Sequence, residues 1–201
     1  MPLLKKILKW VGIVIALAFV ALILGRAFYL RLAANTQLVV EQIHATKLTL
    51  DDVMGAHLPP VPANPDATVQ GVDANKNGIR DDVELAIFKA YPSSAKTRAV
   101  LLQYALVLQM QMTLPIVNKE TVTATVEDGE SRADICFWSL SSRSDMTKFL
   151  SDMDKYHNFV KKLQINTDQR SKYLKDLLQK NLGSYSSSNG GCDLNLSTLP
   201  N

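Results

Sequence analysis

The sequence predicts an all-α protein, with an N-terminal transmembrane helix followed by a compact domain of about five to six helices interrupted by one polar loop. Three observations predict it. An uncharged apolar run covers residues 10–25 behind Lys5, Lys6 and Lys9. Beyond it, apolar residues recur at helical spacing in several separate stretches. Strand-like alternation is scarce and no internal repeat is visible. At 201 residues, 47% of them hydrophobic, the chain has room for a membrane segment over 1–35 and one core-bearing domain over 36–201.

As a helix, the run at 10–25 spans roughly 24 Å, a little under the ~30 Å hydrocarbon core of a bilayer. Lys9 and Arg26 can snorkel, and residues 27–30 continue the apolar character. A cleaved signal peptide is the rival reading, but it has a shorter apolar region and an A-x-A-like site. No convincing site of that kind follows, and no Cys follows the run to carry a lipid. The expectation is an uncleaved, single-pass signal anchor in the inner (plasma) membrane. Its basic tip is then cytoplasmic, and the domain at 36–201 lies in the periplasm or another extracytoplasmic space. Lys5, Lys6, Lys9, Arg26 and Arg31 meet no acid in the first 35 residues, whereas acids slightly outnumber bases beyond them. The net charge of +3 therefore belongs to the anchor, and the domain offers no basic face for nucleic acid.

Each later element has a local reason. Leu38, Val39, Ile43 and Leu48 fall near a helical period, and Thr49 with Asp52 can cap a short further turn. Pro59, Pro60, Pro62 and Pro65 forbid a helix and favour extended chain. Residues 68–72 are then expected as a short extended piece. A helix follows at 82–91, with Val83, Ile87 and Tyr91 on one face and Pro92 ending it. Ser93 or Ser94 caps the next, which runs to about Thr113 before Pro115. No charge occurs from residue 99 to residue 117, so this helix must be weighed as a second membrane span. Gln103, Gln109 and Gln111 point in different directions, which is costly against lipid and predicts a buried central helix instead. Asn118 caps a helix reaching Leu140, with Val122, Val126, Ala133, Cys136 and Leu140 on one face and Gly129 weakening its middle. A helix over 144–164 carries the stripe Phe149, Met153, Tyr156, Val160 and Leu163. Thr167 caps the last helix, with Tyr173, Leu174, Leu177 and Leu178, ended by Gly183.

Cys136 and Cys192 are the two cysteines. Neither belongs to a C-x-x-C pair or lies near a His cluster, which argues against zinc. An exported domain predicts one disulfide between them, tying a mid-chain helix to a Gly/Ser-rich tail with little else to hold it. Two unpaired buried thiols are the alternative. Asn195-Leu196-Ser197 is a glycosylation sequon, relevant only in a eukaryotic secretory pathway.

The stretch "GVDANKNGIRDDVE" at 71–84 holds the strongest chemistry. Residues 73–84 match D-x-[DN]-x-[DN]-G-x5-E. They resemble the calcium loop of the EF-hand family, and more closely the single loops of dockerin modules and thrombospondin-type repeats. The resemblance covers these twelve residues and the helix after them. It implies bound Ca2+, with Asp73, Asn75 and Asn77 giving side-chain oxygens and Ile79 a main-chain carbonyl. Asp81 binds directly or through water, and Glu84 gives two oxygens, in keeping with a hard cation that takes 6–8 oxygens. Gly78 permits the sharp turn. The Pro-rich lead-in replaces the entering helix of a paired EF-hand, and Arg80 stands where an apolar residue would pair with a second loop. With three carboxylates, the site suits the ~0.1–1 mM calcium outside cells. The rival is an Asx-rich turn in which Asp81 or Asp82 caps the next helix.

Other constellations are bland. His44 and His157 read as surface residues, and His57 as packing on the linker. Asp152 and Asp154 do not share a helix face. Trp138 reads as core or as packing on the disulfide, with an interaction patch beside Phe137 as the alternative. No nucleophile elbow, P-loop or H-E-x-x-H appears, so no enzyme is expected. The expected function is a membrane-anchored, exported calcium-binding helical domain that binds another protein, with calcium clipping an otherwise unfastened Pro-rich crossing. A calcium-responsive switch and a periplasmic chaperone or immunity-type partner are the alternatives, with an enzyme built from scattered residues behind them.

Overall fold

The computed structural model describes residues 2–116, 118–181 and 190–201, and among them every regular element is helical. The first helix, α1 (Pro2–Ala45), is continuous. The chain divides into two compact units, 1–38 and 39–201. The first unit is the bulk of α1. Its apolar side chains, among them Leu8, Leu17, Phe19, Leu22 and Leu24, are exposed. It lies in the one helix, among the described residues, that is long and apolar enough to cross a membrane.

The second unit is organised by α4 (Ala95–Thr113), buried without interruption from Arg98 to Met112. Around it pack α2 (Leu50–Met54), α3 (Asp81–Ala90), α6 (Ser131–Phe137), α7 (Met146–Gln164) and α8 (Asp168–Asn181). Ser94 caps α4 by accepting from the Thr97 N–H at 3.1 Å. The three glutamines face protein, as a buried central helix requires. Gln103 donates to Gly191 O at 3.1 Å and accepts from Asp193 N at 2.8 Å. Gln109 donates to Gln70 O at 2.7 Å, and Gln111 to Glu130 Oε1 at 2.6 Å. Each amide thus fastens a different non-helical or irregular segment to α4.

Local capping explains most other boundaries. Thr49 and Asp52 form a reciprocal capping box on α2. Asn118 does the same with Thr121 on α5 (Lys119–Thr123). Thr167 Oγ1 accepts from Arg170 N at 3.3 Å at the start of α8. Gly183, expected to end α8, lies outside the described residues. The extended piece expected at 68–72 is not formed: residues 68–70 are bends and Gly71 takes a left-handed φ of 71°. The helix expected from 118 to 140 passes through a π-helical segment, Ala124–Glu130, between α5 and α6. Gly129 has a specific task there. A Cβ on it would lie 2.8 Å from Val107 Cγ1, so the missing side chain lets the segment close on α4.

Two further expectations are corrected. The Pro-rich crossing does not depend on the polar loop alone. The fully buried Arg170 of α8 donates to Pro65 O (2.8 Å), Thr68 O (3.0 Å) and Val69 O (2.9 Å), and pairs with Asp66 at 2.5 Å. These hydrogen bonds from the guanidinium and Asn166 hold the Asp66 carboxyl below its usual range. The tail is also fastened by more than the Cys136–Cys192 disulfide, whose Cα atoms lie 4.6 Å apart. Asp193 pairs with Arg132 at 3.2 Å and accepts from Leu48 N at 2.9 Å, and Lys96 N donates to Pro200 O at 3.2 Å.

Denaturant unfolding of the full chain in micelles checks these supports. Arg170→Met leaves three carbonyls without their donor and should cost at least about 3 kcal/mol. Gly129→Ala should cost about 1–2 kcal/mol, because overpacking against Val107 outweighs the better helix propensity of alanine. Reduction of the disulfide, which closes a loop across 56 residues, should cost about 4 kcal/mol in the chain-entropy view.

Candidate metal centre

The loop folds back on itself through main-chain amides and a glycine. Gly78 adopts φ +83°, and a Cβ there would lie 2.8 Å from Leu106 Cδ1, so both conformation and space require glycine. Its N–H donates to Asp73 Oδ2 at 3.0 Å. Ala74 N donates to Asp81 Oδ1 at 2.9 Å, and Ile79 N to Asn77 Oδ1 at 2.9 Å. Ile79 is fully buried in the core, which seats the loop on the domain. Lys76 takes a left-handed conformation, φ 59°, at the tip of the curl.

This curl brings together five of the side chains expected from the sequence. Asn75 Nδ2 and Asn77 Nδ2 each reach Glu84, at 3.1 Å from Oε2 and Oε1 respectively. Asp81 and Glu84 are each only 1% exposed. Asp73 Oδ1 and Asp81 Oδ2 are buried and have no hydrogen-bond partner. For buried carboxylate oxygens that is a costly state. Burial, with neighbouring Asp73 and Asp82, pushes the Asp81 carboxyl above its usual range. Burial likewise pushes Glu84 up to about 7; the amides of Asn75 and Asn77 oppose this, and Asp52 and Asp81 add to it.

The loop's arginine does not relieve that charge. Arg80, at the eighth loop position, is fully buried but paired elsewhere. Its Nε lies 2.6 Å from Asp82 Oδ1, and it donates to Leu163 O (2.6 Å) and Gln164 O (3.1 Å) at the end of α7. Where a paired EF-hand loop meets a second loop, this one meets a helix C-terminus, whose free carbonyls suit a guanidinium. The Asx turns of the rival reading are present, Asn75 Oδ1 accepting from Asn77 N and Asn77 Oδ1 from Ile79 N, but its helix cap by Asp81 or Asp82 is not. The cap position of α3 is Arg80, with no side-chain capping bond. Asp81 turns back to Ala74, and Asp82 pairs with Arg80.

Among the described residues no group of three or more His, Cys, Asp or Glu is placed so that it could hold a metal ion. The donors gathered at the loop are carboxylates, two amides and main-chain groups together. The two amides turn their Nδ2 atoms to Glu84, while Asn75 Oδ1 accepts from Asn77 N and Asn77 Oδ1 from Ile79 N; with the carboxylates, these side chains carry the oxygens that suit a hard cation such as Ca2+.

Sequence reasoning missed three features. His157 is partly buried and not simply solvated: its Nε2 lies 2.7 Å from Asp134 Oδ1 and its ring packs edge-on to Phe137 at 4.2 Å. Trp138 is exposed and lies outside the core, with the Arg143 guanidinium 5.0 Å over its ring. The His57 side chain is exposed, but its main-chain carbonyl accepts from Asn75 Nδ2 at 3.0 Å. His44 lies on the surface as expected. Compared with known proteins, the chain matches no family model, no curated protein and no solved structure.

Proposed function

We propose that this protein is a single-pass, membrane-anchored helical domain exported from the cytoplasm, that it holds one structural calcium ion in the loop at 73–84, and that it works by binding another protein. The carrying observation is the pair of buried, partnerless oxygens, Asp73 Oδ1 and Asp81 Oδ2, beside a buried Glu84. A cation supplies the charge and the coordination that this cluster lacks. Asp73, Asn75, Asn77, Asp81, Glu84 and the Ile79 carbonyl would hold it, which is an EF-hand-like set. Three carboxylates suit an ion present at millimolar concentration outside the cytoplasm. A structural clip fits better than an opening sensor, because the loop is packed against Leu106 through Gly78 and against α7 through Arg80.

The remaining parts of the reading have their own support. The Cys136–Cys192 bridge fits an oxidising compartment. The long apolar α1 fits an anchor. Trp138, in the turn that ends α6, and Met146 and Leu150 of α7 stay exposed together, and such a patch fits a protein-binding role.

Calorimetry on the full chain in micelles tests the calcium site. Glu84→Gln should weaken calcium binding at least about tenfold, since the ligand offering two oxygens loses its charge. Equal affinity in parent and variant, or no binding by the parent, overturns the assignment. At calcium a hundredfold above Kd, the parent should gain about 2.7 kcal/mol of stability.

A further inference from the structure

Besides Arg80, which reaches the end of α7, a second loop residue makes a polar contact outside the loop and the helix that follows. Asn75 Nδ2 donates both to Glu84 Oε2 at 3.1 Å and to His57 O at 3.0 Å. His57 lies in the turn that ends α2, after Gly55, which has φ +73° and where a Cβ would lie 2.8 Å from Phe88 Cε1 of α3. Upstream, α2 is held by its capping box and by Arg98 Nε on Val53 O at 3.0 Å. Over residues 55–58, the bond from Asn75 is the only side-chain hydrogen bond among the described residues.

From this we infer that Asn75 is a positioning residue that joins ion binding in the loop to the α2 turn; the inference rests on the calcium reading above. The argument is one of donor and acceptor inventory. A ligand at 75 must offer an oxygen to a cation, and the His57 carbonyl accepts a hydrogen bond from the same side chain. An amide has both groups, whereas a carboxylate has only acceptors. Asparagine at this position is therefore more than a weaker aspartate. The substitution Asn75→Asp would set two acceptors against each other and release the turn, though the added charge favours the cation. Asn77 provides a matched comparison. Its Nδ2 reaches only Glu84, and its Oδ1 accepts from Ile79 N, so Asn77→Asp adds the same charge without facing His57. An ion that fixes Asn75 thereby fixes the turn leading into the Pro-rich crossing, at the end opposite the one held by Arg170.

Calorimetry and amide hydrogen exchange on the full chain in micelles, with and without calcium, test this in the parent, Asn75→Asp and Asn77→Asp. Both variants should bind calcium at least as tightly as the parent. In the parent and in Asn77→Asp, calcium should slow exchange at 55–58 on the order of fivefold or more. In Asn75→Asp the slowing should fall below about twofold despite intact binding. If the parent binds calcium but exchange at 55–58 does not change, or if both variants keep the full slowing, the inference is overturned and the calcium site stands. If the parent binds no calcium, the proposed function falls and the inference falls with it.

Discussion

Burying like charges at one point is the constraint around which this domain is arranged. Asp81 and Glu84 are almost wholly removed from water, Asp73 stands beside them, and two of their oxygens meet no donor. Carboxylates persist in such surroundings only by taking up protons or by sharing a cation. Glu84 is already pushed to about 7 by burial. The local arginine is unable to help, because Arg80 is committed to Asp82 and to the carbonyls that end α7. Among the described residues no basic side chain pairs with this cluster, which leaves protonation or a shared cation to accommodate it.

The same segment that gathers these carboxylates also locks the loop into the fold. Ile79 enters the core, Arg80 caps α7, and Gly78 packs on Leu106 of the central helix. Arg170 then gathers the carbonyls of the Pro-rich crossing onto α8. Two buried arginines, each donating to several main-chain oxygens, do for the irregular chain at 65–80 what helix caps do elsewhere. A planar guanidinium with five donors is suited to that task, and a lysine ammonium is not. In this arrangement an ion would tighten a scaffold already assembled, in keeping with a clip.

What the sequence made legible was local. Thr49, Ser94, Asn118 and Thr167 announce helix starts because a cap acts within three residues. The stripe on α7 repeats within its own helix. The loop motif is contiguous, so its curl could be read before any tertiary contact. What escaped notice depends on distant partners. Arg80 and Arg170 look like ordinary basic residues until their carbonyl acceptors, 83 to 105 residues away in sequence, are in place. Gly129 looks like a weak point until Val107 lies against it. His157 looks solvated until Asp134 is beside it. Trp138 misled for the opposite reason: its size suggested the core, but the neighbouring Phe137 took that place.

A crystal structure of the full chain grown with calcium tests the central claim most directly. The account predicts one calcium ion within about 2.3–2.6 Å of Asp73 Oδ1, both Glu84 carboxylate oxygens and the Ile79 carbonyl. Asp81 should sit close by, bound directly or through one water. A loop of the same shape with Asp73 Oδ1 and Asp81 Oδ2 satisfied by ordered water, and no ion at saturating calcium, would contradict it.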